Sequence, residues 1–147
     1  MTIKILLIDD DPDLLDLMAA AFARADFEVF TAKDGIVGAR LFRAHGPELV
    51  VTDIVMPERE GIETIVELKR AANPPKVIAI SGAGMMAGHD FLQWATMLGA
   101  DEILLKPFQM SALVALARRV LGLGEEPSAA DARLGLPQRD GPHARPS

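Results

Sequence analysis

Five short aliphatic or β-branched runs are spaced by segments of helical period, and this alternation limits the available folds more than any other feature of the chain. Residues 3–9, Phe27–Thr31, Glu48–Asp53, Lys76–Ser81 and Asp101–Lys106 read as strands. The first is apolar at nearly every position, as expected of a strand covered on both faces. Asp11 followed by Pro12 suits a helix cap with proline at the first helical position, and Leu14, Leu15, Met18 and Phe22 then share one face. Asp34 caps a second predicted helix carrying Val37, Leu41 and Ala44, stopped by Gly46-Pro47. Ile62, Ile65, Val66 and Leu68 support a third, closed by Asn73-Pro74-Pro75. Phe91–Leu98 reads as a fourth, ended by Gly99, and Ser111 caps a fifth that turns Leu113, Leu116, Ala117 and Val120 inward. Five strands alternating with five helices is an α/β pattern, and right-handed crossovers then require a parallel sheet covered on both sides.

The chain has 147 residues, about one domain's worth, and half of them are apolar. Residues 1–121 carry the periodic pattern, and 122–147, rich in Gly, Pro and Ala, read as a flexible tail. The net charge of −6, with no block of Lys or Arg, argues against direct nucleic-acid binding. The absence of cysteine excludes disulfides and thiolate metal sites. No run approaches membrane-spanning length and the N-terminus does not read as a signal peptide, so the expectation is a cytoplasmic protein off the membrane.

Ligands of parallel α/β sheets lie beyond the carboxyl ends of the strands. Four of the runs end there on polar residues: Asp9, Asp10 and Asp11, then Asp53, then Ser81, then Lys106. Crowded carboxylates resist joint ionisation, and a hard divalent cation relieves that. Mg²⁺ prefers a few carboxylates, retained waters and phosphate oxygens. A carboxylate can also attack phosphorus and form an acyl phosphate. Asp9 and Asp10 suit the metal, and Asp53 suits a bridge between metal and substrate. The Ser81 hydroxyl and the Lys106 ammonium suit the transferring oxygens.

The pattern Ile8-Asp9-Asp10-Asp11, Asp53-Ile54-Val55-Met56-Pro57, Ser81-Gly82 and Lys106-Pro107-Phe108 resembles the receiver domain of two-component response regulators, over roughly residues 1–121. The resemblance implies a flavodoxin-like, doubly wound sheet of order 2-1-3-4-5 with five helices. It implies that Asp53 accepts a phosphoryl group, with Asp9, Asp10, Asp53 and the backbone carbonyl of Val55 holding Mg²⁺. Ser81 and Lys106 would complete the reacting set, and the Lys106-Pro107 bond would be cis. It further implies a sensor histidine kinase or histidine phosphotransfer protein as donor. Output would pass through the predicted fourth helix, fifth strand and fifth helix, by contact with an unknown output protein, by relay, or through a homodimer. With no output domain expected after residue 121, the chain reads as a single-domain regulator. One departure concerns Ile103, which stands where the family often has an aromatic residue, so an aliphatic side chain would have to replace the usual switch. Val55 and Ala83 flank the expected site without polar side-chain atoms, which implies slow self-dephosphorylation.

Two rival readings use the same residues. A haloacid-dehalogenase-type phosphatase would place its nucleophile in Asp9-Asp10-Asp11, but it leaves Asp53 without a role. A receiver-like binding module would work without phosphorylation. Asp11 reads as the cap of the first helix rather than a third metal ligand. His45, His89 and His143 are given no chemistry, and Gly82-Ala83-Gly84 lacks the spacing of a nucleotide loop.

Overall fold

The computed structural model describes residues 2–54, 60–82 and 99–124. It contains the strands β1 (Lys4–Ile8), β2 (Glu28–Ala32), β3 (Leu49–Asp53), β4 (Lys76–Gly82) and β5 (Glu102–Lys106). Its described helices are α1 (Pro12–Arg24), α2 (Gly35–His45), α3 (Glu60–Lys69) and α4 (Met110–Val120), the last being the predicted fifth helix. The predicted fourth helix, Phe91–Leu98, lies outside the described residues, as does the predicted tail beyond Gly124. The strands form one parallel sheet in the order β2-β1-β3-β4-β5, as expected.

The unbroken apolar runs follow from the two-residue period of a strand placed between two helical layers. Ile5 and Leu7 of β1, with Leu49, Val51, Ile78 and Ile80, pack on one face with Met18 and Phe22 of α1 and Leu113, Leu116 and Ala117 of α4. Leu6, Ile8 and Val50 pack on the opposite face with Ala32 and Leu68, against Val37, Leu41 and Phe42 of α2. Val77 and Ala79 continue that face with Ile54, Ile65 and Ala100, and Ile103 packs at its edge. The close seat of α2 on β1 depends on Gly38, where an added Cβ would stand 2.5 Å from Ile8 Cδ1.

Helix ends match the sequence at Asp11, Asp34 and Gly46 and depart from it at Ser111. The Asp34 carboxylate accepts the Val37 amide, and α2 closes on Gly46 in the left-handed region at φ 60°. Ser111 is not the cap of α4. That helix starts one residue earlier, at Met110, behind Gln109, which makes no side-chain capping bond. Local propensity favoured Ser111, but the turn after Lys106-Pro107 places Gln109 at the boundary. Within α2, Ala44 is exposed, whereas Gly35 and Gly38 are buried.

A polar knot at the amino ends of β4 and β5 was not anticipated. Lys69 Nζ donates to Asp101 Oδ2 at 2.9 Å and to the Pro75 carbonyl at 2.8 Å. The same Asp101 oxygen accepts the Val77 amide at 2.7 Å. Gly99, at φ 116°, lies where a Cβ would stand 2.7 Å from Lys69 Cγ, so the knot excludes larger residues there.

Candidate functional site

Sheet register brings the polar strand ends to one edge. Ile8 pairs with Thr52, so Asp9 lies level with Asp53. Asp53 pairs with Ile80, so Ser81 lies one residue further along, and Gly82 pairs with Lys106. Carboxylate oxygens of Asp9, Asp10 and Asp53 all lie within 4.8 Å of one another. Lys106 Nζ stands 3.3 Å from Asp53 Oδ2. The Lys106-Pro107 peptide is cis, as the sequence led us to expect.

The three acids occupy different surroundings. Asp9 is buried, Asp53 is nearly so, and Asp10 is exposed. Asp9 Oδ1 accepts the Asp11 amide at 2.8 Å, whereas its buried Oδ2 has no hydrogen-bond partner among the described residues. Burial pushes the Asp9 carboxyl up to about 6, and the neighbouring charges of Asp53 and Asp10 push the same way. The Asp11 amide and the Lys106 ammonium oppose that rise without overcoming it.

This arrangement fits a divalent cation. Buried carboxylate oxygens are normally paired or bound to metal, and no donor among the described residues reaches Asp9 Oδ2. Three carboxylates converge here, and the Lys106 ammonium stands beside one of them. All-oxygen donors that supply only part of a coordination shell suit Mg²⁺, which retains waters. The Val55 carbonyl, expected as a further ligand, lies outside the described residues, as does Ala83.

Ser81 is fully buried at the end of β4, and its hydroxyl donates to the Gly82 carbonyl at 3.3 Å. The structure therefore brings together Asp9, Asp10, Asp53 and Lys106, with Ser81 on the adjoining strand end. Sequence reasoning missed the link from Asp9 to the Asp11 backbone. Its signal was present in the Asp-x-Asp-x spacing, because an Asp side chain readily accepts the amide two residues on.

Comparison with known proteins places the fold in a family. Residues 5–118 match the response regulator receiver domain. The transcriptional regulatory protein CpxR homolog of Haemophilus influenzae is 32% identical over 126 residues, covering 85% of this chain and 53% of that protein. The chain spans about half the length of the curated relatives it matches. The crystal structure of the receiver domain of NtrX from Brucella abortus is 29% identical, with a TM-score of 0.73, covering 82% of this chain and 99% of that one. The chemotaxis response regulator CheY4 of Vibrio cholerae, 21% identical with a TM-score of 0.74 over 82% of this chain and 99% of its own, shares the fold. On the match over residues 5–118, the chain belongs to the response regulator receiver domain family.

Proposed function

We propose that Asp53 accepts a phosphoryl group in a Mg²⁺-dependent reaction, and that the donor is a phosphohistidine on a sensor kinase or histidine phosphotransfer protein. The observation that carries this reading is the Lys106–Asp53 ion pair beside a buried Asp9 oxygen that has no hydrogen-bond partner among the described residues. Asp9, Asp10 and Asp53, with the Val55 carbonyl, are assigned to the metal. Bound Mg²⁺ supplies neutralisation and orientation of the phosphoryl oxygens.

In the assigned step an Asp53 carboxylate oxygen attacks phosphorus. The new O–P bond forms as the P–N bond to the donor histidine breaks, and the bonding pair stays with the imidazole nitrogen. Lys106, already 3.3 Å from Asp53, neutralises charge on the transferring oxygens. The Ser81 hydroxyl is assigned to a phosphoryl oxygen, for which it exchanges its Gly82 bond. Residues 1–121 are assigned to this receiving step and 122–147 to a tail. Output is assigned to the face around β5 and α4, by protein contact, self-pairing or relay, within the cytoplasm. Among the described residues no helix is long and apolar enough to cross a membrane.

The phosphatase alternative leaves Asp53 idle, whereas Asp53 stands inside the acid cluster and on Lys106. Incubation with acetyl phosphate and Mg²⁺ tests the reading by intact mass. One added phosphoryl group is expected, lost on chelation and in Asp53→Asn. Undiminished labelling of Asp53→Asn would overturn it.

A further inference from the structure

We propose that Asp11 is a positioning residue, which aims the Asp9 carboxylate at the metal without touching the metal itself. The inference rests on the metal reading of Asp9, Asp10 and Asp53.

Two side-chain-to-backbone turns run in series through this segment. Asp9 Oδ1 accepts the Asp11 amide at 2.8 Å. Asp11 Oδ1 then accepts the Asp13 amide at 3.0 Å and the Leu14 amide at 3.3 Å, capping α1. The Asp11 carbonyl accepts the Leu15 amide at 3.0 Å. The first turn of α1 thus grips Asp11 by both side chain and carbonyl. Pro12 further restricts the residue before it to extended backbone, and Asp11 sits at φ −90°, ψ 106°. Held from three sides, the Asp11 peptide has its N–H aimed at one Asp9 oxygen. That engages Oδ1 and leaves Oδ2 buried, without a hydrogen-bond partner among the described residues and on an acid of the cluster.

The geometry separates this role from direct ligation. Asp11 does not belong to the set of acids whose oxygens converge, and its Oδ1 is already occupied by two amides. Hydrogen bonds that orient a metal ligand commonly matter for affinity as much as 10- to 100-fold when lost. Here the orienting donor is a backbone group, so substitution acts on it only through the cap.

Titration of the full chain with Mg²⁺ alone, followed by calorimetry at about pH 8 where Asp9 is ionised, tests the proposal. Asp11→Ala is expected to weaken Mg²⁺ binding roughly 10-fold. Asp11→Asn and Asp11→Ser keep a capping acceptor but no charge, and are expected within about twofold of the parent. The Asp11 backbone amide should exchange faster with solvent in the Ala variant and recover in the Asn variant. Asn and Ser variants as weak as Ala would show that Asp11 acts by charge or ligation, and would overturn the proposal. So would an Ala variant with parental affinity. Should Asp11→Ala fail to fold, Asn and Ser still decide, since weakened binding in both contradicts the proposal and retained binding supports it. A parent that binds no Mg²⁺ would instead overturn the metal reading on which the proposal rests.

Discussion

Asp9→Asn should stabilise the metal-free protein above neutral pH while weakening Mg²⁺ binding. Asp9 is fully buried, and its carboxyl is pushed up from 3.8 to about 6, first by burial and then by Asp53 and Asp10. The folded state therefore binds the Asp9 proton more tightly than the unfolded chain does. That contribution to stability is fully present below pH 3.8 and is lost as pH rises through about 6. The shift corresponds to about 3 kcal/mol once Asp9 is fully ionised. Asparagine keeps an oxygen for the Asp11 amide and removes the charge. In chelator, urea denaturation at about pH 8 should therefore show the variant more stable by up to about 3 kcal/mol, or roughly 6–12 °C in Tm. The two proteins should converge at about pH 4. Mg²⁺ should raise the parent's stability and leave the variant nearly unmoved. An Asn variant no more stable than the parent at about pH 8 in chelator would refute the reasoning. So would a stability difference that ignores pH.

Other consequences are structural. Gly38→Ala should cost about 1–3 kcal/mol despite alanine's better helix propensity, because its Cβ would meet Ile8 Cδ1. Adding Ile8→Val removes that atom, so a double-mutant cycle in urea should recover part of the loss, and a purely additive result would contradict the contact. Asp101→Ala should cost about 1–3 kcal/mol, since it strands both the Lys69 ammonium and the Val77 amide. Labelling by acetyl phosphate should persist in folded Asp101→Ala, and its loss would place the knot in the chemistry. Asp26, exposed at φ 72° after α1, should tolerate glycine with a gain of about 0.5–1 kcal/mol. A clear loss in urea melts would mean that its side chain has a role of its own.

Strand identity and topology were legible because both depend on coarse signals. Runs such as Ile5–Ile8 can be apolar throughout only where helices cover both faces, and the alternation with helical segments then implies parallel pairing. The acid cluster was legible for the same reason, since parallel strands bring their carboxyl ends to one edge. Finer features depend on contacts between segments distant in sequence. The Lys69–Asp101 pair joins residues 32 apart, and nothing local marks either as a partner. Ser111 is not the cap because propensity ignores the turn that sets the start of α4. The unequal burial of Asp9 and Asp10, adjacent in sequence, follows from the chain leaving the sheet between them. Ile103 does lie at the edge of the aliphatic cluster with Val77 and Ala79, which accounts for an aliphatic side chain at that position.

The central claim is that Asp53, and not another acid of the cluster, carries the phosphoryl group. Borohydride reduction of an aspartyl phosphate leaves homoserine, which peptide mass spectrometry locates to a single position. After treatment with acetyl phosphate and Mg²⁺, homoserine is expected at position 53, and only when Mg²⁺ is present. Homoserine at position 9 or 10, or none anywhere under conditions that add a phosphoryl group, would contradict the account.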